Sequence, residues 1–281
     1  MKIKFTKMHS AGNDYVYINC FIESISNPSD LAKKISNRHF SIGSDGLILI
    51  CPSETADVQM KMFNADGSES KMCGNGLRCV AKFASDHILS NHPTEIAIES
   101  HGEVYKVVLQ KNLNNIAIAK INMGIPKLEC IDIPVKLEGD KLVNHPIEIL
   151  DKKFDITCVN MGNPHTVIYL EDLETLELKK YGPLIENHEL FPERTNVEFV
   201  KIISKDEVNV RVWERGSGET LACGSGASAV CVAGVITQKT SNNLKVNLKG
   251  GALSIKWKKD EELFLTGPCE EVFNGEIELT T

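Results

Sequence analysis

The chain has 281 residues, 42% of them hydrophobic and 25% charged, enough for one large domain or two modest ones that each bury a core of their own. A formal net charge of −7 and an isoelectric point near 5.7 give no electrostatic reason to expect a nucleic-acid partner. No run of about 18 apolar residues is present to span a bilayer, so no membrane partner is expected either.

The opening residues, MKIKFTKMHSAGNDY, lack the apolar core of a signal peptide, and the cytoplasm is the expected location. A strand-like run at 15–19 is followed by Asn27-Pro28, a capping residue with proline at the first helical position, which opens a predicted helix to about residue 38. Strands are predicted at 47–51 and 58–63, a helix at 75–88, and strands at 96–99, 104–109 and 116–121. A stretch containing proline, glycine and asparagine, 123–145, reads as the boundary between two domains, 1–121 and 122–268. Beyond it the order recurs: strands at 156–161 and 166–170, a helix at 172–185, strands at 197–203 and 208–213, a helix at 225–236, and strands at 244–248, 253–257 and 263–266. The sign-alternating run 256–262 reads as a solvated hairpin. The helix at 225–236 contains GASAVCVAGVI. It carries no charge on any face and must therefore be buried all round. The expected fold is α+β, with two pseudo-symmetric domains from an internal duplication, each a curved, mainly antiparallel sheet wrapped around a central helix.

The duplication is visible directly. Residues 57–76 and 207–226 align without gaps at an offset of 150, and each copy ends in Cys-Gly-Xaa-Gly, as Cys73-Gly74-Asn75-Gly76 and Cys223-Gly224-Ser225-Gly226. Within the copies Phe63 matches Trp213 and Glu69 matches Glu219, and further upstream Gly12-Asn13 matches Gly162-Asn163. A repeat of this length is a duplicated domain rather than a solenoid unit. The chain has nine cysteines, an odd number, with no CxxC pair and no Cys/His cluster at zinc spacing. Neither a disulfide scaffold nor a metal site is indicated. Seven of the cysteines read as small buried hydrophobes. Cys73 and Cys223 differ, because each precedes a Gly-Xaa-Gly turn that opens a helix, where backbone N–H groups and the positive end of the dipole are expected to lower the thiol pKa. The glycines also let a ligand carboxylate approach those N–H groups. Two matched thiols facing one cleft would suit chemistry on both faces of a single carbon.

Polar residues at matched places extend the candidate site: Asn13 with Asn163, Asn64 with Glu214, and Asn196 with Gly46. Glu214 next to Arg215 supplies groups for an ammonium and a carboxylate, which together would recognise an amino-acid head group. His165 fits either a hydrogen-bonding wall residue or a satisfied loop histidine. The segment from Gly224 to Ala229 is a GxGxxA match, but no acidic residue lies about 20 positions on to hold a ribose, so a dinucleotide is not expected.

Six motifs carry a resemblance to a known family: His9-Ser10-Ala11-Gly12-Asn13-Asp14, Phe63-Asn64-Ala65-Asp66-Gly67-Ser68, Met72-Cys73-Gly74-Asn75-Gly76-Leu77-Arg78-Cys79, Gly162-Asn163-Pro164-His165, Thr195-Asn196, and Glu214-Arg215-Gly216 through Ala222-Cys223-Gly224-Ser225-Gly226. Across nearly all its length the chain resembles the diaminopimelate epimerases, cofactor-independent enzymes of lysine and peptidoglycan-precursor synthesis. The resemblance implies epimerisation of LL- to meso-diaminopimelate, with Cys73 and Cys223 as acid and base and with neither cofactor nor metal. It places Asn64, Asn163, Asn196 and Arg215 on the distal end of the substrate and Glu214 near an amino group. It also places Gly74, Asn75, Gly224 and Ser225 on the reacting carboxylate through backbone N–H groups. Some relatives carry glutamine where Gly46 stands, so no side-chain contact is expected from that position. The resemblance further implies a homodimer and a C-terminal strand, about 269–281, that returns to the first domain. A proline racemase shares the two-cysteine logic, but proline has no distal ammonium and carboxylate for Glu214 and Arg215 to hold.

Overall fold

The offset that relates the two halves of the sequence also relates their strand registers. In this computed structural model, which describes residues 2–70, 73–111, 117–137 and 139–278, the backbone divides into two compact units, Met1–Ile121 with Thr266–Thr281, and Asn122–Leu265. Unit 1 runs β1 (Lys2–Ser10), β2 (Asn13–Asn19), α1 (Pro28–Ile35), β3 (Gly46–Cys51), β4 (Val58–Asn64), β5 (Glu69–Ser70), α2 (Gly74–Phe83), a π-helical turn (Ala84–Ile88), β6 (Glu95–Ser100), β7 (Glu103–Lys111) and β8 (Ala117–Asn122). Unit 2 runs β9 (His145–Ile149), β10 (Lys152–Asn160), β11 (Pro164–Tyr169), α3 (Leu178–Glu186), β12 (Asn196–Ser204), β13 (Glu207–Glu214), β14 (Gly218–Thr220), α4 (Gly224–Ile236), β15 (Asn243–Leu248) and β16 (Gly251–Lys256). The last strand, β17 (Phe264–Glu278), lies antiparallel to β1, from Lys2 opposite Glu278 to His9 opposite Glu270.

Equivalent pairs occupy equivalent places. The parallel pair β2–β3 sets Tyr15 opposite Gly46, and β11–β12 sets His165 opposite Asn196. The antiparallel pairs set Leu47 opposite Phe63 and Val197 opposite Trp213, then Phe63 opposite Glu69 and Trp213 opposite Glu219. The hairpins that carry Asn13 and Asn163 differ. In unit 1, Ala11 and Gly12 both have positive φ, at 51° and 81°, the conformation of a tight two-residue hairpin turn, and Asn13 opens β2 opposite Ser10. In unit 2, Asn160 pairs with Pro164, so the loop is one residue longer and Asn163 sits in it.

Helix α4 packs against β10, β11, β12, β15 and β16. Its residues from Gly226 to Gly234 are all buried, as expected of a helix apolar on every face. Helix α2 packs against β1, β6 and β7 and buries even Arg78. The observed fold is thus the α+β arrangement expected, a mainly antiparallel sheet around a central helix in each unit.

Several elements depart from the sequence reading. The helix predicted at 172–185 begins only at Leu178, because the Asp172 carboxylate accepts from the backbone N–H groups of Glu174 and Thr175 and from the Thr175 hydroxyl. That arrangement closes an aspartate turn in place of a first helical turn, while Leu173 and Leu176 drop into the core. Helix α1 ends at Ile35, since Asn37 captures the N–H groups of His39 and Phe40. The stretch 123–145 is no loose connector: Cys130, Ile133 and Leu142 belong to the core of unit 2, beside Phe154 and Phe199. In the run 256–262, Trp257 is buried and residues 258–262 form an exposed connection from β16 to β17. Strands β1, β9 and most of β17 have no counterpart in the strand runs read from the sequence. In β17, Gly267, Pro268 and Asn274-Gly275 imitate turn signals, but Gly275 is there for packing. A Cβ on it would stand 2.6 Å from the Phe5 ring. Ile116 and residues 279–281, at the edges of two predicted strands, lie outside the described residues.

The start of β2 is held by charge. Asp14 pairs with Lys7 and Arg38, and although burial opposes ionisation, the hydrogen bonds from Arg38 and Lys7 bring its carboxyl below the ordinary aspartate value. A carboxylate with a depressed folded-state pKa contributes stability that is present above the unfolded value of about 3.9 and is lost as pH falls through the folded value. Asp14→Asn is expected to cost about 2 kcal/mol at pH 7, mainly by leaving Lys7 buried without a counter-charge. Urea unfolding at a series of pH values should show that deficit shrinking below about pH 4; a deficit constant across the series would contradict this account.

Candidate active site

Helix α2 starts where it does because Cys73 caps it. Cys73 is extended (φ −139°, ψ 109°), and its Sγ accepts the N–H of Gly76 at 3.3 Å. A Cβ on Gly76 would stand 2.8 Å from Ile48 Cδ1, so the glycine seats the first turn closely against that side chain. The thiol also lies 3.6 Å from Asn13 Oδ1, which accepts from Asn75 Nδ2 at 3.1 Å. Asn13 in turn donates to Asp45 at 2.8 Å, and Asp45 is paired with Arg38. Behind this cluster sits Arg78, fully buried. It donates to Ser10 Oγ at 3.0 Å and to the Asn75 side-chain oxygen, while Ser10 donates onward to the Pro268 carbonyl at 2.6 Å. Burial pulls the guanidinium pKa down, and the thiols of Cys79, Cys73 and Cys269 push it back up.

Asn64, at the end of β4, donates to Ser68 Oγ at 3.0 Å across the turn into β5, and none of its described hydrogen bonds reaches the Cys73 cluster. Gly46 faces it in register. A Cβ at Gly46 would stand 2.1 Å from the Phe63 carbonyl oxygen and 2.9 Å from the Tyr15 ring. That position therefore has no room for a side chain.

In unit 2 the same cap is built with different neighbours. Cys223 is extended (φ −123°, ψ 115°), and its Sγ accepts the Gly226 N–H at 3.4 Å and lies 3.5 Å from Ser225 Oγ. A Cβ on Gly226 would stand 2.5 Å from Glu198 Oε1, so glycine is needed to seat the helix against that carboxylate. Glu198 is fully buried and holds His165 Nδ1 at 2.7 Å. The other ring nitrogen, Nε2, lies 2.9 Å from Asn163 Oδ1. His165 therefore belongs to strand β11 with both nitrogens engaged, not to a loop. Glu214 accepts from the Thr220 hydroxyl and interacts with the Cys223 thiol. Burial raises the Glu214 carboxyl pKa, with Thr220 and His165 opposing.

Cys223 corrects the expectation that both thiols are lowered. Burial first, then the charges of Glu214 and Glu198, push it well above the ordinary thiol value, and Ser225 and the Gly226 N–H offset this only in part. A helix dipole is a partial charge at the surface of the first turn; two buried carboxylates outweigh it.

Asn196, also buried, donates to the Pro164 carbonyl at 2.8 Å and accepts the Arg215 N–H at 3.0 Å. It thereby ties β12 to β11 and fixes the turn after β13. Glu214 and Arg215 are not paired with each other among the described contacts. Arg215 is half-buried as a residue, and its guanidinium donates to the Glu193 carbonyl at 3.0 Å. Ser10, Arg78, Glu198 and Thr220 were not singled out from the sequence as site residues. Neither Arg78 nor Glu198 stands out in the sequence, because Arg78 shares its helix face with Asn75 and Lys82 and Glu198 shares its strand face with Asn196.

Comparison with solved structures shows the fold. A Bacillus anthracis phenazine biosynthesis protein of the PhzF family superposes with a TM-score of 0.74 at 14% identity, over 99% of this chain and 100% of that one. A probable proline racemase from Agrobacterium radiobacter superposes at 0.70 and 11%, over 99% and 93%. Both likenesses, at this level of identity, are likenesses of fold. The family model for diaminopimelate epimerase matches residues 5–129 and 157–272. Proteins named diaminopimelate epimerase from Agathobacter rectalis and Desulfovibrio desulfuricans are 47% and 49% identical, covering 99% and 98% of this chain and 100% and 98% of their own lengths. The chain belongs to the diaminopimelate epimerase family, a family of isomerases.

The electrostatics of unit 2 are open to a direct check. Removing the Glu214 charge should let Cys223 ionise more readily, because one of the two anions that oppose its thiolate is gone. In Glu214→Gln the pH profile of Cys223 alkylation, followed by peptide mapping, is expected to move down by roughly one pH unit. An unmoved profile would show that the Glu214 charge does not act on the Cys223 thiol.

Proposed function

We propose that this chain interconverts LL- and meso-diaminopimelate by inverting one α-carbon, with Cys73 and Cys223 exchanging the roles of base and acid. The observation that carries the reading is the repeated cap: in each unit a thiol accepts the N–H of the third helical residue, at 3.3 Å for Cys73 and 3.4 Å for Cys223. Each sulfur thus stands at a helix N-terminus, beside the first-turn amides of Gly74 and Asn75 or of Gly224 and Ser225.

The chemistry requires such a site. An amino-acid α-proton is a very weak acid, so charge developing on the reacting carboxylate must meet donors already in place, and first-turn amides are such donors. One thiolate removes the proton from one face while the opposing thiol delivers a proton to the other. The surroundings of the two thiols differ. Burial, Glu214 and Glu198 keep the proton on Cys223, and a buried cation, Arg78, stands behind the Cys73 cap. Each turnover needs one sulfur charged and the other protonated, and it leaves the pair reversed. Asn13 and Asn75 hold the Cys73 side of the site in place. Glu214 takes the substrate ammonium, with His165 held beside it by Glu198 and Asn163. Arg215 offers its remaining fork to the distal carboxylate, assisted by Asn64, Asn163 and Asn196. This reading assigns no cofactor and no metal. Family resemblance alone supports a homodimer, which sedimentation of the purified chain checks.

With LL-diaminopimelate as substrate and no cofactor added, the purified chain is expected to form the meso isomer, resolved by chiral chromatography. Cys73→Ala and Cys223→Ala should each lower turnover by about 10³-fold or more, on the scale of losing one positioned proton carrier, with an unchanged circular dichroism spectrum. Cys130→Ala should stay within about twofold of the parent, as expected for a buried small hydrophobe. Near-parental turnover in either alanine variant of the capping pair would remove that residue from the mechanism.

A further inference from the structure

Two of the remaining cysteines differ from the other five. Cys79, Cys130, Cys158, Cys231 and Cys269 are buried, whereas Cys20 and Cys51 are half-exposed, which corrects their reading as buried hydrophobes. They stand at the ends of neighbouring parallel strands. Asn19 is paired with Ile50 in register, and the Cys20 N–H continues the ladder to the Ile50 carbonyl at 2.8 Å. The next lateral pair is Cys20 and Cys51. Neighbouring strands lie about 4.8 Å apart, within the Cα separation of roughly 4.4–6.8 Å that a disulfide spans. Both side chains pack on the same apolar cluster, with Ile25, Ile42 and Ile277. They therefore emerge on one face of the sheet.

The chemistry around the pair is asymmetric. Cys51 receives a hydrogen bond from the Cys20 thiol and feels the charge of Lys61 from β4, and these outweigh burial to bring its thiol down to about 7. Cys20 is pushed up, first by its hydrogen bond to Cys51, then by burial and by the Cys51 and Glu23 charges, with Lys61 opposing. One sulfur is thus the nucleophile and the other a protonated neighbour in reach, the arrangement of an attacking and a resolving thiol. Asn13 and Cys20 are at opposite ends of β2, roughly 20 Å apart at 3.3 Å per residue, so this pair is separate from the Cys73 cluster.

The geometry points to Cys20 and Cys51 as a vicinal dithiol that peroxides convert to a disulfide, a modification site independent of the epimerase chemistry. The Cys51 thiolate attacks one peroxide oxygen. An S–O bond forms, the O–O bond breaks, and the departing hydroxide takes up a proton as water. Cys20, giving up its proton, then attacks the Cys51 sulfur; the S–S bond forms, the S–O bond breaks, and a second water leaves. The two sulfurs lose two electrons in all, and one peroxide is reduced to two waters.

The test uses the full-length chain treated with one equivalent of hydrogen peroxide, quenched with an alkylating agent and mapped by mass spectrometry of its peptides. A cross-linked peptide joining Cys20 to Cys51 is expected, separable in the map from any product of Cys73 or Cys223. Before oxidation Cys51 should alkylate at pH 7 about 10-fold faster than an unperturbed thiol with a pKa near 8.5. In Cys20→Ser, dimedone should trap a sulfenic acid on Cys51, and in Cys51→Ser Cys20 should stay reduced. Phenylarsine oxide, which bridges two thiols, should bind at this pair in the parent chain and at neither cysteine in the two serine variants. The proposal is overturned if the folded parent chain shows no Cys20–Cys51 cross-link while Cys51 remains alkylatable, or if Cys20 oxidises equally fast without Cys51.

Discussion

A sulfur atom accepting the backbone N–H three residues ahead of it is the contact on which the site is built. A capping side chain fixes both the residue at which a helix begins and the direction of its first amides. Serine, threonine or aspartate does this more commonly, and an alanine at either cysteine would leave the cap unmade. Cysteine puts the reactive atom itself in the cap, so the sulfur and the amides are positioned by one interaction. The glycine at the third position is part of the same constraint, because Ile48 in unit 1 and Glu198 in unit 2 occupy the space a side chain would need. A tight helix–sheet seat and a close approach to sulfur are two results of one glycine.

Duplication supplies two such caps, and divergence behind them makes them unequal. Arg78 backs the first helix, and Ser228, which matches it at the repeat offset, turns its hydroxyl onto the Gly224 carbonyl instead. In unit 2 the charge comes from the strands, as Glu198 on β12 and Glu214 at the end of β13. A buried cation stands behind one thiol, while burial and two anions raise the pKa of the other. Unequal surroundings of this kind suit an acid–base pair in which one member is charged and the other is not.

Much of this was legible because the duplication prints the capping motif and its flanking strand pattern twice. The offset of 150 located both caps, both central helices and the matching strands, and the all-apolar 225–236 run announced a helix enclosed on all sides. What the sequence concealed were mostly contacts with residues distant along the chain, and in one place a competing local turn. Asn274-Gly275 looks like a turn, and only the Phe5 ring shows why glycine is needed within a long strand. Asp172 looks like a helix start, yet its carboxylate closes a local turn. The direction of the Cys223 shift was misread because the cap residues are contiguous in sequence while Glu198 and Glu214 are 25 and 9 positions away. Gly46, by contrast, was recognised as a departure from relatives, and the Tyr15 ring against it gives the physical reason.

The central claim, that the two thiols serve opposite faces of one carbon, makes a specific demand on isotope incorporation. In D2O at early times, a two-base enzyme removes protium through one sulfur and delivers solvent-derived deuterium through the other. The deciding measurement is therefore the deuterium content of both isomers, by mass spectrometry, in the first few percent of reaction from each direction. Label almost entirely in the newly formed isomer, with recovered substrate still protiated, is the result this account predicts. Substrate and product labelled at comparable early rates, in either direction, would contradict opposed roles for Cys73 and Cys223.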